Sequence, residues 1–391
     1  EEVRRLRRIY AGGFYLIAVS PDDSIRNAFL KQKGVADDEL LTLIARDDDD
    51  SAKHGQRVSD TFHLADFFVR MDGNEPRLQG ELYRVCRILF GDPFATPRFD
   101  EYAMFLAFAS SLRSSDMSRQ VGAVIARGRD VVSTGANDCP SFGGGLYWPD
   151  SMEGLYSASD KAGSRDYVAG GDHNRGHIKD IIKQIVESGK ANGLDPSILD
   201  QVLQKSRLRD ITEYQRAVHA EMEALLSAAR NGVATKDATL YCTTFPCHNC
   251  AKHIVAAGVR RVFFIEPYRK SRALDLHKDS IAMGPLPSKD AESFVRFEPF
   301  IGVGPRRFFD FFSTKLGTGR EIDRREYTQS WSLTMAQAAT IPTLRVQMRP
   351  GSFLEMEDEA GARFEAFAGG QTAEKADDSA RRPASRRNRK T

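Results

Sequence analysis

The chain has 391 residues, 41% apolar and 28% charged, with 56 basic against 54 acidic side chains. This excludes a wholly disordered, collagen-like or coiled-coil chain, and the length allows two or three domains. No run approaches the roughly 20 apolar residues that span a bilayer, no signal peptide is legible, and five cysteines make no disulfide scaffold, so we expect a soluble cytoplasmic protein without a membrane partner.

Glu1–Tyr10 is charged and helical in pattern, and Phe14–Val19 is an apolar run fit for a buried strand. A second helical stretch follows Pro21, then the acidic run Arg46–Asp50, then a buried element over Thr61–Val69. The alternation predicts an α/β unit with a mostly parallel sheet, the front of which would precede Glu1. Gly91–Pro97 supplies breakers and a domain boundary. Beyond it come a helix over Phe99–Leu112, and strands Val121–Ala126 and Val131–Gly135 joined by the turn Arg127–Asp130. A polar, Gly-rich stretch from Pro140 to Gly176 leads to helices over Ile178–Glu187 and Ala217–Arg230. Strand Ala238–Thr243, helix Cys247–Ala257 and strand Arg261–Glu266 complete the alternation. Periodicity fades after Thr318, and residues 381–391 carry six basic side chains and no acid, which reads as a disordered basic tail or a tether. The rest of the chain is slightly acidic, without the basic surplus of a duplex-binding domain.

The chemistry concentrates in Val218-His219-Ala220-Glu221 and Phe245-Pro246-Cys247-His248-Asn249-Cys250. Cysteines three apart at a helix start put two sulfurs on one face, and the positive helix end favours thiolate, with Pro246 entering the first turn. His219 and Glu221, two apart, can face one site only if His219 lies at the N-terminal turn and Glu221 just inside the helix. One His and two Cys give zinc three protein ligands and leave a fourth position for water, as in catalytic rather than structural sites. A carboxylate beside the metal can then move the water's proton. The pattern H-x-E…P-C-x-x-C is that of zinc nucleobase deaminases. The rival readings are a thioredoxin-like CxxC pair, a structural zinc completed by Cys242 or His253, and His219 as a metal-free helix cap; Cys242, in mid-strand, reads better as a small buried residue.

With these residues the chain resembles the cytidine-deaminase superfamily, and within it the deoxycytidylate deaminases. Ser114–Ile125 resembles the first block of that family and Gly135-Ala136-Asn137-Asp138-Cys139-Pro140 its asparagine block, with Ala136 replacing an aromatic. Ile265–Ser271 resembles its post-strand tyrosine segment. The resemblance implies a three-layer domain, a mixed central sheet with helices on both faces, over residues 98–315 with an insertion at about 140–215. It implies that Asn137 and Tyr268 contact the nucleotide, that His219, Cys247 and Cys250 hold Zn2+, and that Glu221 is the catalytic acid/base. Leu43–Asp47 and Gly55–Val69 look like the rear of a P-loop kinase-like domain over residues 1–92, although no G-x-x-x-x-G-K-[ST] loop occurs in the chain. Such a fusion is similar to the bacterial anti-phage deoxycytidylate deaminases, with 316–391 as a C-terminal extension. The activity implied is conversion of dCTP or dCMP to the deoxyuridine nucleotide; the alternative is a deaminase of cytosine or adenine in RNA or single-stranded DNA. The resemblance further implies a homo-oligomer, a nucleotide effector, and control by an inhibitory RNA or protein partner. Cys139, His173 and His177 form a candidate second metal site.

Overall fold

The computed structural model describes residues 2–48, 61–151, 158–160, 162–267, 271–284, 293–326, 331, 344–346, 354, 357–358 and 360–365. In chain order the elements are α1 (Glu2–Tyr10), β1 (Ile17–Pro21), α2 (Asp23–Gln32), α3 (Asp37–Asp48), β2 (Phe67–Met71), α4 (Glu75–Leu89) and α5 (Phe99–Ser111). Next are β3 (Gly122–Arg127), β4 (Asp130–Ala136), β5 (Asp150–Ser151), β6 (Ala158–Ser159), α6 (His173–Ala191), α7 (Pro196–Lys205) and α8 (Ala220–Arg230). The last are β7 (Thr239–Thr244), α9 (His248–Ala256), β8 (Arg261–Glu266), α10 (Ala273–Leu276), β9 (Ile281–Met283), β10 (Val295–Pro299), β11 (Gly302–Val303) and α11 (Phe308–Phe312).

Six strands form one mixed sheet in the order β4-β3-β7-β8-β10-β9. β3 runs antiparallel to both β4 and β7, and β7, β8, β10 and β9 run parallel. The period of two in each strand sorts its side chains to two cores. Ala123, Ile125, Leu240, Cys242, Val262 and Phe264 face α8 and α9, where they meet Ala224, Ala251 and Ile254. Val124, Ala126, Tyr241, Phe263 and Ile265 face the other way, toward Ala103, Met104 and Ala107 of α5. The fold is therefore the expected α/β three-layer arrangement. Ile125, Leu240 and Ile254 are fully buried, and cutting any of them to Ala costs about 2–5 kcal/mol.

Two glycines let the helices come down onto the sheet. A Cβ on Gly122 would lie 1.9 Å from the Ala107 carbonyl oxygen of α5. On Gly135 it would lie 2.2 Å from Ala220 O and 2.5 Å from Ala224 N, both backbone atoms of α8. The second contact seats the N-terminal turn of α8.

The N-terminal region adds a smaller sheet, β1-β2-β11, in which β1 and β2 are parallel and β11 is antiparallel to β2. The strand expected over Phe14–Val19 instead begins at Ile17, because Asp66 captures Leu16: Leu16 N donates to Asp66 Oδ2 at 2.7 Å and Asp66 N donates to Leu16 O at 2.8 Å. It is not buried throughout. β1 is an edge strand, and Ile17 and Val19 stay exposed while Ala18 points inward. Phe68 of β2 stacks edge-on with Phe300 and joins the core beneath α5, so this sheet packs directly on the larger unit. Its other face buries Phe67 with Val85, Ile88, Phe311 and Val346. Arg345, also buried, donates its backbone N–H to Leu89 O at 2.7 Å. No described helix is long and apolar enough to cross a membrane.

Candidate active site and metal centre

The N-termini of α8 and α9 converge at one edge of the core. His219 caps α8 with an extended backbone (φ −70°, ψ 153°), and Glu221 lies one step inside the first turn. The extended cap removes the conflict of residues two apart on a helix. Cys247 caps α9, its Sγ accepting the Cys250 N–H at 3.4 Å; Pro246 thus precedes the cap instead of entering the first turn.

His219 Nδ1 lies 3.3 Å from Cys247 Sγ and 3.3 Å from Cys250 Sγ. The three ligand atoms all fall within 4.8 Å of one another, and this is the one such group of His, Cys, Asp or Glu among the described residues. Tetrahedral zinc with ordinary Zn–N and Zn–S bonds separates N from S by about 3.6 Å, so the donor set fits zinc in both chemistry and size. Cys242 is fully buried in β7 and stands outside this group, as does His253, so neither closes it as a fourth ligand.

The three groups are also hydrogen-bonded to one another. Hydrogen bonds from Cys250 and His219, against the opposing effect of burial, draw the Cys247 thiol down to about 4. The same thiolate pushes His219 up to about 9, while Cys250, which donates a hydrogen bond to Cys247 and is buried, is held well above the usual thiol range. Glu221 is 4% exposed, and burial raises its carboxyl group, opposed by the nearby His219. Burial thus raises the proton affinity of a carboxyl group placed to carry a proton.

His219, Glu221 and Cys247 line a cavity of about 460 Å³, with Cys250 buried behind them. Asp116, Ser118, Arg119, Arg175, Thr212 and Gln215 line its walls. Asn137 also lines it, but both ends of its amide hold the neighbouring loop: Oδ1 accepts from Val121 N at 2.7 Å and Nδ2 donates to Arg119 O at 2.8 Å. Tyr268 lies outside the described residues.

Cys139, His173 and His177 are not gathered into a ligand group among the described residues. Cys139 Sγ and His173 Nδ1 each reach Asp166 Oδ1, at 3.5 and 3.4 Å, but that oxygen also accepts from Arg216 at 3.2 Å. His177, one turn along α6, instead packs its ring on Tyr214, centroids 4.8 Å apart. Asp166 Oδ1 is thus already paired with the Arg216 guanidinium.

The sequence pattern does not single out Arg119, Arg175 or Gln215 as site residues. Arg175 and Gln215 come from the insertion, whose approach to the cavity leaves no periodic trace. Gln215 sits four residues before His219 on a non-helical segment, so no spacing rule marks it.

Residues 97–266 match the family model described as the cytidine and deoxycytidylate deaminase zinc-binding region. The deoxycytidylate deaminase of Enterobacteria phage T4 is 30% identical over 171 residues, covering 43% of this chain and 77% of the phage protein. The deoxycytidylate deaminase of Saccharomyces cerevisiae is 27% identical over 284 residues, or 69% of this chain and 73% of the yeast protein. Among solved structures, the dCMP deaminase of cyanophage S-TIM5 aligns over its whole length with 53% of this chain, at 17% identity and a TM-score of 0.28, too low to carry weight. The family match falls on the two segments that supply the imidazole, the thiols and the carboxylate, and the chain belongs to the cytidine and deoxycytidylate deaminases, a family of zinc-type deaminase enzymes.

Proposed function

We propose that the protein hydrolyses deoxycytidine nucleotides, dCTP or dCMP, to the corresponding deoxyuridine nucleotide and ammonia. The observation that carries this is a buried Glu221 beside a His219–Cys247–Cys250 group at a nucleotide-sized cavity. In this reading the three ligands hold zinc. Bound zinc supplies Lewis acidity that makes water a nucleophile at neutral pH. Glu221 takes a proton from the attacking water and delivers it to N3 as the C4–O bond forms. Glu221, a carboxylate again, then takes the proton of the new C4 hydroxyl and passes it to the exocyclic amine; C4=O forms as the C4–N4 bond breaks, and ammonia leaves.

Arg119 and Arg175 put two guanidinium groups on the cavity wall, which favours a phosphorylated substrate over a free base. Asn137 and Tyr268 are assigned to the nucleotide's sugar or base by family resemblance. We extend the reading to a division into residues 1–92, kinase-like, 98–315, deaminase, and 316–391, extension. Depletion of deoxycytidine nucleotides in anti-phage defence, a cytoplasmic location, a homo-oligomeric state, a nucleotide effector and an inhibitory RNA or protein partner belong to the same proposal.

The test is turnover of dCMP, dCTP and a cytosine-bearing oligonucleotide by the wild type and Glu221→Gln. Mononucleotide turnover that falls about 10²–10⁴-fold in the variant, with zinc retained, supports the proposal. Activity on the oligonucleotide alone replaces the substrate class, and near-normal turnover by the variant overturns the role of Glu221.

A further inference from the structure

His219 uses both of its ring nitrogens. Nδ1 faces the two sulfurs at 3.3 Å, and Nε2 lies 3.0 Å from Gln215 Oε1. A neutral imidazole has one N–H donor and one lone-pair nitrogen, and an amide oxygen can only accept. The Gln215 contact therefore keeps a proton on Nε2, and Nδ1 is the nitrogen whose lone pair can bind a metal together with the two sulfurs.

Gln215 is itself held. Its backbone N–H donates to Thr212 O at 3.3 Å. The next residue, Arg216, donates to Asp166 Oδ1, Gly163 O and Ser164 O at 3.2, 3.2 and 2.9 Å. Two residues further on, Val218 exchanges two backbone hydrogen bonds with Asp138, at 2.9 and 3.2 Å. The segment between the insertion and α8 is thus pinned on both sides of its approach to His219.

We propose that Gln215 is a positioning residue: its side-chain carbonyl fixes His219 as the Nε2–H tautomer and turns the ring so that Nδ1, with two thiolates, takes a soft divalent metal. This rests on the reading of His219 as a ligand. Outer hydrogen-bond partners of ligating histidines typically contribute 10–100-fold to metal affinity. Here that role is filled by a neutral amide from a residue outside the H-x-E and P-C-x-x-C segments.

The experiment measures zinc affinity of the full chain by competition with a chromophoric chelator, alongside the visible spectrum of the cobalt(II)-substituted protein. Gln215→Leu keeps most of the side-chain volume but cannot accept a hydrogen bond; it is expected to weaken zinc binding 10–100-fold and to shift the cobalt bands. Gln215→Glu restores an acceptor and is expected to bring affinity back to within a few-fold of wild type. A Gln215→Leu protein with wild-type affinity and spectrum overturns the proposal, as does a Gln215→Glu protein no better than Gln215→Leu. His219→Ala serves as the separate control: full zinc affinity there would remove the ligand reading itself.

Discussion

Among the described residues, sulfur and imidazole side chains come together in two places, and one of these has the form of a metal site. At His219, Cys247 and Cys250, two helix N-termini bring the ligand atoms within 4.8 Å of one another. At Cys139, Asp166 and His173, the same ligand types approach a common oxygen that Arg216 already engages. The protons follow the difference. Cys247 is drawn down to about 4, first by Cys250 and then by His219, whereas burial and the charge of Asp166 push Cys139 up to about 11. Ligand identity does not by itself make a site; hydrogen-bond donors, burial and neighbouring charge decide whether a thiolate is stable there.

The largest expected effect comes from removing one ligand of each group in turn. Cys250→Ser is expected to strip the zinc and bring turnover to background, and Cys139→Ser to leave one equivalent of zinc per chain. Metal analysis of the two purified variants checks this. Loss of a zinc equivalent in Cys139→Ser alone would break the comparison, since the second group would then be a metal site after all.

The seats of the two groups can be compared next. Gly135 lets α8 approach β4, and an alanine methyl there would collide with backbone at Ala220 and Ala224. Gly135→Ala is expected to cost about 3 kcal/mol and to weaken zinc retention, because the strain falls on the turn bearing His219 and Glu221. Gly176 lies in α6 between His173 and His177, with nothing within 4 Å of an added Cβ. Gly176→Ala is expected to stabilise by about 0.5–1 kcal/mol and leave zinc content unchanged. Urea unfolding of both proteins gives the contrast; a Gly135→Ala protein as stable as the wild type would refute the packing argument.

What is legible in the sequence follows the same division. The H-x-E and P-C-x-x-C segments at helix starts are placed by residue type and spacing, whereas His173 and His177, four apart at the start of α6, are not gathered into a ligand group among the described residues. The β3–β4 hairpin and the α8–β7–α9–β8 succession are also legible, because each is set by local periodicity and turn chemistry. Long-range pairings are not legible. Gly302 of β11 pairs with Phe68, and Val346 joins the core around Phe67, but neither residue carries a signal of its distant neighbour. The exposure of Ile17 and Val19 is a consequence of β1 being an edge strand, which an apolar run cannot disclose. Gln215 and Arg216 show the same limit at the site, since their partners are fixed by the insertion's path rather than by spacing.

The smallest effect, and the most direct reading of the inert group, is the reactivity of its thiol. Cys139 is 2% exposed and its thiol is pushed up from 9.0 to about 11, first by burial and then by Asp166. A thiol whose folded value is raised stays neutral at pH 8, and its contribution to stability is complete below the unfolded value and lost as pH rises through about 11. Two decades of shift reduce the thiolate fraction at pH 8 about 100-fold relative to the unfolded chain, before any loss of access is counted. Iodoacetamide at pH 8 is therefore expected to modify the exposed Cys86 while Cys139 stays unmodified until urea is added, as read by peptide mass analysis. Raising the pH toward 11 is expected to speed modification of Cys139 in the folded protein. Rapid labelling of Cys139 at pH 8 in the native state would mean that its thiolate is stabilised as that of Cys247 is, and the distinction between the two groups would fail.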